Sequence, residues 1–194
     1  MNEVLNNILT RRSIRKFKDR QISREELDNI ILAGTYAPSG KNNQSYKITV
    51  LYNSEKVEKL NKDVINALDK IEIDDNTPES VIEMKKRAKN PDTELFFKAP
   101  TFIIVSNEEG YLNAMADSTC VMENMMLAAH SMGIGSCWIN ILVRLNGYKE
   151  IREIAEALGV PENHKICGGL VLGYPDQPHP KAHARKEGTV NIIM

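Results

Sequence analysis

The sequence predicts an α+β fold, and three observations carry that reading. Three runs that are β-branched, aromatic or almost wholly apolar, at 46–52, 101–106 and 167–172, stand far apart and read as strands. Between and around them lie longer stretches in which apolar residues recur at helical spacing. No internal repeat or low-complexity linker divides the 194 residues, so residues 1–194 are expected to fold as a single domain around one core.

The elements follow in order. Val4, Leu5, Ile8 and Leu9 predict a first helix over about 2–10. Ser23, followed by Glu25 and Glu26, is an N-cap with an acidic first turn. Leu27, Ile30 and Ile31 form the apolar face of that helix, which ends before Pro38. Tyr46 to Tyr52 is a strand. Ser54 is expected to cap a helix that turns Val57, Leu60, Val64, Ile65 and Leu68 inward. Thr77 and Pro78 read as the N-cap and first-turn proline of a short helix reaching about Lys89. Thr101 to Ser106 is nearly all apolar, as a strand covered on both faces would be. The longest predicted helix, Tyr111 to Met132, is apolar on most sides and belongs in a core or a subunit interface. Its methionines suit irregular gaps in packing. An extended stretch at Gly133–Asn140, a helix near 150–158 and the strand Cys167–Leu172 complete the order.

Composition excludes several classes of function. A net charge of -1 gives no general field for nucleic acid or an anionic membrane, so any anion binding must come from local clusters. No run approaches a membrane span, and the amino-terminal residues do not resemble a signal peptide. Cys120, Cys137 and Cys167 are odd in number, widely spaced and without a C-x-x-C pair. They point to a reducing, cytoplasmic setting without a disulfide frame or zinc site. His130, His164, His179 and His183 lack carboxylate or cysteine partners at metal-ligand spacing, so no metal is expected.

Two basic clusters at opposite ends carry the functional signal: Arg11–Phe17, and Lys181–Lys186 with His183 and Arg185. If the first is extended, Arg11, Ser13 and Arg15 face one way and Arg12, Ile14 and Lys16 the other. Two guanidiniums flanking a hydroxyl suit a phosphate monoester on a small molecule. A solvated helix end carrying dipole-compensating cations is the competing reading. The Ala37–Gln44 stretch has the wrong glycine spacing for a nucleoside-triphosphate loop, and Asn42 stands where the magnesium-binding hydroxyl would be. Its side-chain amides suit the polar edge of a heterocycle, or simply a turn. Gly133-Ile134-Gly135 follows a helix instead of opening one, and Trp138 replaces the third glycine, which excludes a dinucleotide fingerprint. No general-base constellation is visible, so a cofactor is expected to carry the chemistry.

The order of these motifs, closing with Gly168–Pro175 and the terminal basic cluster, resembles the nitroreductase family of FMN-dependent oxidoreductases over nearly the whole chain. The resemblance implies a central, mainly antiparallel sheet flanked by helices, in an intertwined homodimer with FMN at the interface. It implies that Arg11, Arg12 and Ser13 hold the phosphate and ribityl end and that Arg15 reaches the N1/O2 edge. Arg185, with His183 beside it, would close on the phosphate. Pro38, Ser39 and Gly40 would come from the partner subunit, Asn42 and Gln44 would address the polar edge of the ring, and amides near Asn140 and Ile141 would face N5/O4. The implied activity is ping-pong hydride transfer from NAD(P)H through FMN to nitroaromatics, quinones or similar small planar acceptors. A specialised dehalogenase, flavin-fragmenting enzyme or azoline dehydrogenase, or a non-catalytic flavin-binding protein, is the alternative. Four positions depart from the family pattern: Ser45-Tyr46 replaces a frequent Pro-Trp, Asn140 stands at a position acidic in some members, and His183 replaces a frequent lysine. The stretch at about 74–92 is expected as a lid over the flavin or as a surface helix.

Overall fold

A four-stranded antiparallel sheet organises the chain in the computed structural model, which describes residues 2–194. The first half contributes α1 (Glu3–Thr10), α2 (Arg24–Thr35), β1 (Lys47–Leu51), α3 (Ser54–Lys70) and α4 (Glu79–Ala88). The second contributes β2 (Thr101–Glu108), α5 (Ala114–Ser131), β3 (Gly135–Ile139), α6 (Ile141–Arg144), α7 (Lys149–Ala157) and β4 (His164–Gly173). Spatially the strands lie in the order β1-β2-β4-β3, and every pairing is antiparallel. The fold is α+β, as the sequence predicts.

β2 is central and buried from Thr101 to Asn107. Side chains alternate across its two faces. Phe102 and Ile104 join Val171 in a cluster with α3, α4 and α7, whereas Ile103 and Val105 join Leu170 and Leu172 against α2 and α5. Full burial of each such side chain contributes about 1.5–3 kcal/mol relative to exposure. α2 lies close on α5 because Gly34 carries no side chain: a Cβ there would stand 2.7 Å from Met125 Cγ. Met122, Met125 and Met126 fill the space around that crossing, and Asn124 Nδ2 donates to the Ala33 carbonyl at 3.1 Å.

The capping box on α2 is complete. Glu26 N–H donates to Ser23 Oγ at 3.1 Å and Ser23 N–H donates to Glu26 Oε2 at 2.6 Å. Two other predicted caps are displaced by one residue. Asn53, not Ser54, caps α3, its Oδ1 accepting from Glu55 N–H at 2.8 Å and Lys56 N–H at 3.2 Å. Pro78 is the N-cap residue of α4, while the Thr77 hydroxyl donates backwards to Asp74 Oδ1 at 2.7 Å. α5 begins at Ala114, with Tyr111–Asn113 forming a turn before it. β4 is longer than predicted and starts at His164; the short α6 is an additional element.

Candidate functional site

The basic segment after α1 is extended and tied to the sheet edge. Arg11 N–H donates to the Asn7 carbonyl at 3.0 Å and ends the helix. Ser13 then pairs in parallel with Ser136 of β3, and Ile14 N–H donates to the Ser136 carbonyl at 2.9 Å. Further on, Lys18 N–H donates to the Tyr174 carbonyl and Asp176 N–H to the Lys16 carbonyl, each at 2.9 Å. Ile14 and Phe17 anchor the segment in the core. Gly135 admits Ile14, since a Cβ at that position would lie 2.9 Å from the isoleucine side chain.

Arg12 and Ile14 share one side of the segment, as the alternation predicts, and line a small cavity of about 130 Å³ with His130, Ser136, Pro175 and His179. Arg12 Nη1 donates to the carbonyls of Leu9 at 2.8 Å and Arg11 at 2.6 Å, satisfying the exposed end of α1. Arg12 Nε and Arg11 Nη1 are buried without a hydrogen-bond partner. Thr10 Oγ1 donates to the Asn6 carbonyl at 2.6 Å, so it must accept from His130 Nε2–H at 2.9 Å. His179 Nε2–H donates to the Thr10 carbonyl at 2.8 Å, and the two imidazoles stack with centroids 5.7 Å apart. Burial lowers the His130 pKa from its ordinary value, and His179, Arg11 and Arg12 lower it further by repulsion. Unsatisfied buried donors among mutually repelling cations fit an anion.

Arg15 lines a second cavity of about 250 Å³ together with Phe97, Trp138, Asn140 and Ile141. Its guanidinium lies 6.0 Å from the Phe97 ring centroid, and the Arg15 backbone N–H donates to Gln177 Oε1 at 3.0 Å. Phe97 and Lys98 hold left-handed backbone angles, φ 56° and 52°, a strained pair for residues with side chains. Buried Asn61 steadies the approach to that turn: Leu95 N–H donates to its Oδ1 at 2.8 Å and its Nδ2 donates to the Thr93 carbonyl at 3.1 Å. Asn140 Oδ1 accepts from Trp138 Nε1–H. Ile141 opens α6, so its N–H has no intrahelical acceptor. From α4, Met84 and Arg87 complete the wall. That helix is docked, with Val81 buried and Lys85 Nζ donating to the carbonyls of Asp69 at 2.6 Å and Ile71 at 2.7 Å.

The remaining predicted residues lie elsewhere in the chain. Pro38, Ser39, Gly40, Asn42 and Gln44 line neither cavity. Their loop is fixed from below: Gly40 N–H donates to the buried Asp117 carboxylate at 3.1 Å and Tyr111 Oη lies 3.0 Å from the same group. Lys41, Asn42 and Gln44 take left-handed angles of 54°, 55° and 49°, and Gln44 Nε2 donates to Asn42 Oδ1 at 2.9 Å. His183 and Arg185 are exposed, and no hydrogen bond joins them to Arg11–Ser13 among the described residues. The sequence reading missed His130, His179, Arg87 and Arg144. A larger cleft of about 600 Å³ between α3 and α7 contains none of the predicted residues, and charged pairs such as Lys59–Asp63 and Lys149–Glu153 border it. Among the described residues, no group of three His, Cys, Asp or Glu could hold a metal ion, and no helix is long and apolar enough to cross a membrane.

A sequence profile described as the nitroreductase family matches residues 8–174. The chain belongs to the nitroreductase family. Within it, the chain is similar to a Bacteroides fragilis nitroreductase whose crystal structure contains bound FMN. The two are 39% identical with a TM-score of 0.89, and the match covers 100% of each chain. A Desulfitobacterium hafniense nitroreductase with bound FMN has a TM-score of 0.82 at 26% identity, again over 100% of both chains. An NADPH-flavin oxidoreductase of Vibrio harveyi is 33% identical, over 91% of this chain and 68% of its own. The resemblance read from the motifs is borne out.

Proposed function

We propose that the protein reduces nitroaromatics, quinones or similar small planar acceptors with NAD(P)H, working as an intertwined homodimer. Membership of the family makes it an NAD(P)H-dependent FMN oxidoreductase. The observation that carries the site assignment is the pair of buried, unpartnered guanidinium nitrogens on Arg11 and Arg12 beside the Ser13 bridge. They fit a phosphate monoester, and the partly apolar cavity around Arg15 fits an aromatic ring system.

When bound, FMN accepts a hydride from NAD(P)H and passes it to the acceptor. The net change with a nitroarene is ArNO₂ + NAD(P)H + H⁺ giving ArNO + NAD(P)⁺ + H₂O. A quinone gives the hydroquinone with the same donor. In this reading Arg11, Arg12 and Ser13 would hold the phosphate, and Arg15 would supply a cation toward the N1/O2 edge that favours electron uptake. The N–H groups at Asn140 and Ile141 would hold the N5/O4 edge. Pro38, Ser39, Gly40, Asn42 and Gln44 line neither cavity of their own chain, which suits donation to the partner's site. The exposed tail lets His183 and Arg185 fold over the phosphate in the dimer. Residues 1–194 act as one domain, with α4 a fixed wall and not a swinging lid, because Val81 and Lys85 hold it down. The three unpaired cysteines suit the cytoplasm, where we place the protein.

The first test is the visible spectrum of the purified protein before and after anaerobic NADPH, then NADH. A flavin spectrum that bleaches, followed by its return on adding a quinone, is the expected result. Flavin that stays oxidised with both donors overturns the reductase reading. Arg11→Ala is expected to lose most of its FMN while keeping its fold by circular dichroism, and a fully loaded variant refutes the phosphate assignment.

A further inference from the structure

The second cavity has a one-sided charge. Its charged lining is Arg15, Arg87 and Arg144, without any carboxylate. None of the three is in an ion pair among the described residues, although i,i+4 pairs are frequent on the helices elsewhere. Glu83 stands one helical turn before Arg87, the spacing of such a pair, yet Arg87 lines the cavity instead. Arg144 reaches the same space from the last residue of α6, so the two guanidiniums approach from separate elements. The same cavity is lined by the apolar side chains of Met84, Leu95, Phe97, Trp138 and Ile141.

We propose that the acceptor is an aromatic ring bearing a carboxylate or an equivalent oxyanion, and that Arg87 and Arg144 determine this specificity. The inference rests on the flavin-site reading above, which already gives Arg15 to the cofactor and so leaves two cations for the ligand. Guanidinium matches carboxylate geometry through paired N–H donors, and apolar side chains beside it would seat the ring that bears the carboxylate. Arg87 and Arg144 line the same cavity as the apolar side chains against which a ring would lie, so the anion they would meet is one carried by that ring.

The test compares 4-nitrobenzoate with its uncharged isostere 4-nitrobenzamide on the FMN-loaded enzyme. Dissociation constants come from perturbation of the oxidised flavin spectrum, and kcat/KM from steady-state rates, for the parent, Arg87→Gln, Arg144→Gln and the double variant. The parent is expected to favour the carboxylate by about tenfold or more in both measures, the range of charge-assisted hydrogen bonds. Each single change reduces that ratio, and the double variant brings it close to unity, through KM more than kcat. A parent without preference, or a preference that survives in the double variant, overturns the proposal. So does a double variant whose NADPH-to-NADH ratio changes while its carboxylate preference stays, since the arginines then read the donor. Flavin that neither donor bleaches is a different failure, that of the reductase reading, and the binding ratio still decides the role of the arginines.

Discussion

His130 shows how one side chain reports the charge of its surroundings. Its Nε2–H is committed to Thr10, so a second proton must enter at Nδ1, against burial first and then against His179, Arg11 and Arg12. The folded protein therefore holds that proton less tightly than the unfolded chain does. The stability tied to the neutral ring is fully present above the ordinary value of 6.5 and is lost as pH falls through the lower folded value. The apoprotein is expected to lose melting temperature as pH falls below about 6.5, and His130→Gln to flatten that slope. FMN should flatten it too, because a phosphate dianion offsets the repulsion. Equal slopes for parent, variant and holoprotein, followed by differential scanning fluorimetry, refute this account. The alternation of Arg12 and Ile14 against Arg15 was legible in the sequence. His130 was not, because its partner Thr10 lies 120 residues away.

At the scale of elements, the segment after α1 behaves as an added edge strand whose register depends on Gly135. Gly135→Ala would put a Cβ 2.9 Å from Ile14 and force the segment outward. The expected loss is about 1–3 kcal/mol in denaturant unfolding, with reduced FMN content because Arg11, Arg12 and Ser13 move with it. Unchanged stability and flavin content would show that the packing is looser than this. Local signals made the helices legible: the 3.6-residue period of α2, α3 and α7, and the Ser23–Glu26 box. The four residues of α6 are too short to display a period, so the helix was invisible although Ile141 and Arg144 belong to it. Asn53 and Ser54 are both good caps, and only the fold decides between them. The left-handed turns at Lys41–Gln44 and Phe97–Lys98 carry no glycine at the strained positions, which left them unmarked in the sequence. The candidate site divides along the same line: its phosphate end is a local motif, whereas its second cavity is assembled from α4, β3, α6 and two separate loop segments.

The whole molecule leaves a hydrophobic face that one chain cannot cover. α1 meets α5 mainly through polar contacts, Asn7 Nδ2 to the Leu127 carbonyl at 2.9 Å and Thr10 with His130. Its apolar residues remain open, with Leu5 at 50% and Leu9 at 53% exposure, and α1 contributes no buried residue. Tyr36, just ahead of the Pro38–Gln44 loop, is 81% exposed, and the tail presents Ile192 and Ile193 to solvent. An apolar stripe, an aromatic beside a rigid polar loop and an apolar tail are together what an intertwined partner would bury. In that arrangement dimerisation and cofactor binding are one equilibrium, because each flavin needs the loop of the other chain. Leu5→Lys with Leu9→Lys is therefore expected to lower the mass by light scattering to that of a single 21.9 kDa chain. The same variant should lose FMN even though neither substitution touches either cavity, while its far-ultraviolet circular dichroism stays close to that of the parent. A monomer that keeps its flavin would show that one chain suffices to hold it, and a variant that remains dimeric would move the interface away from α1.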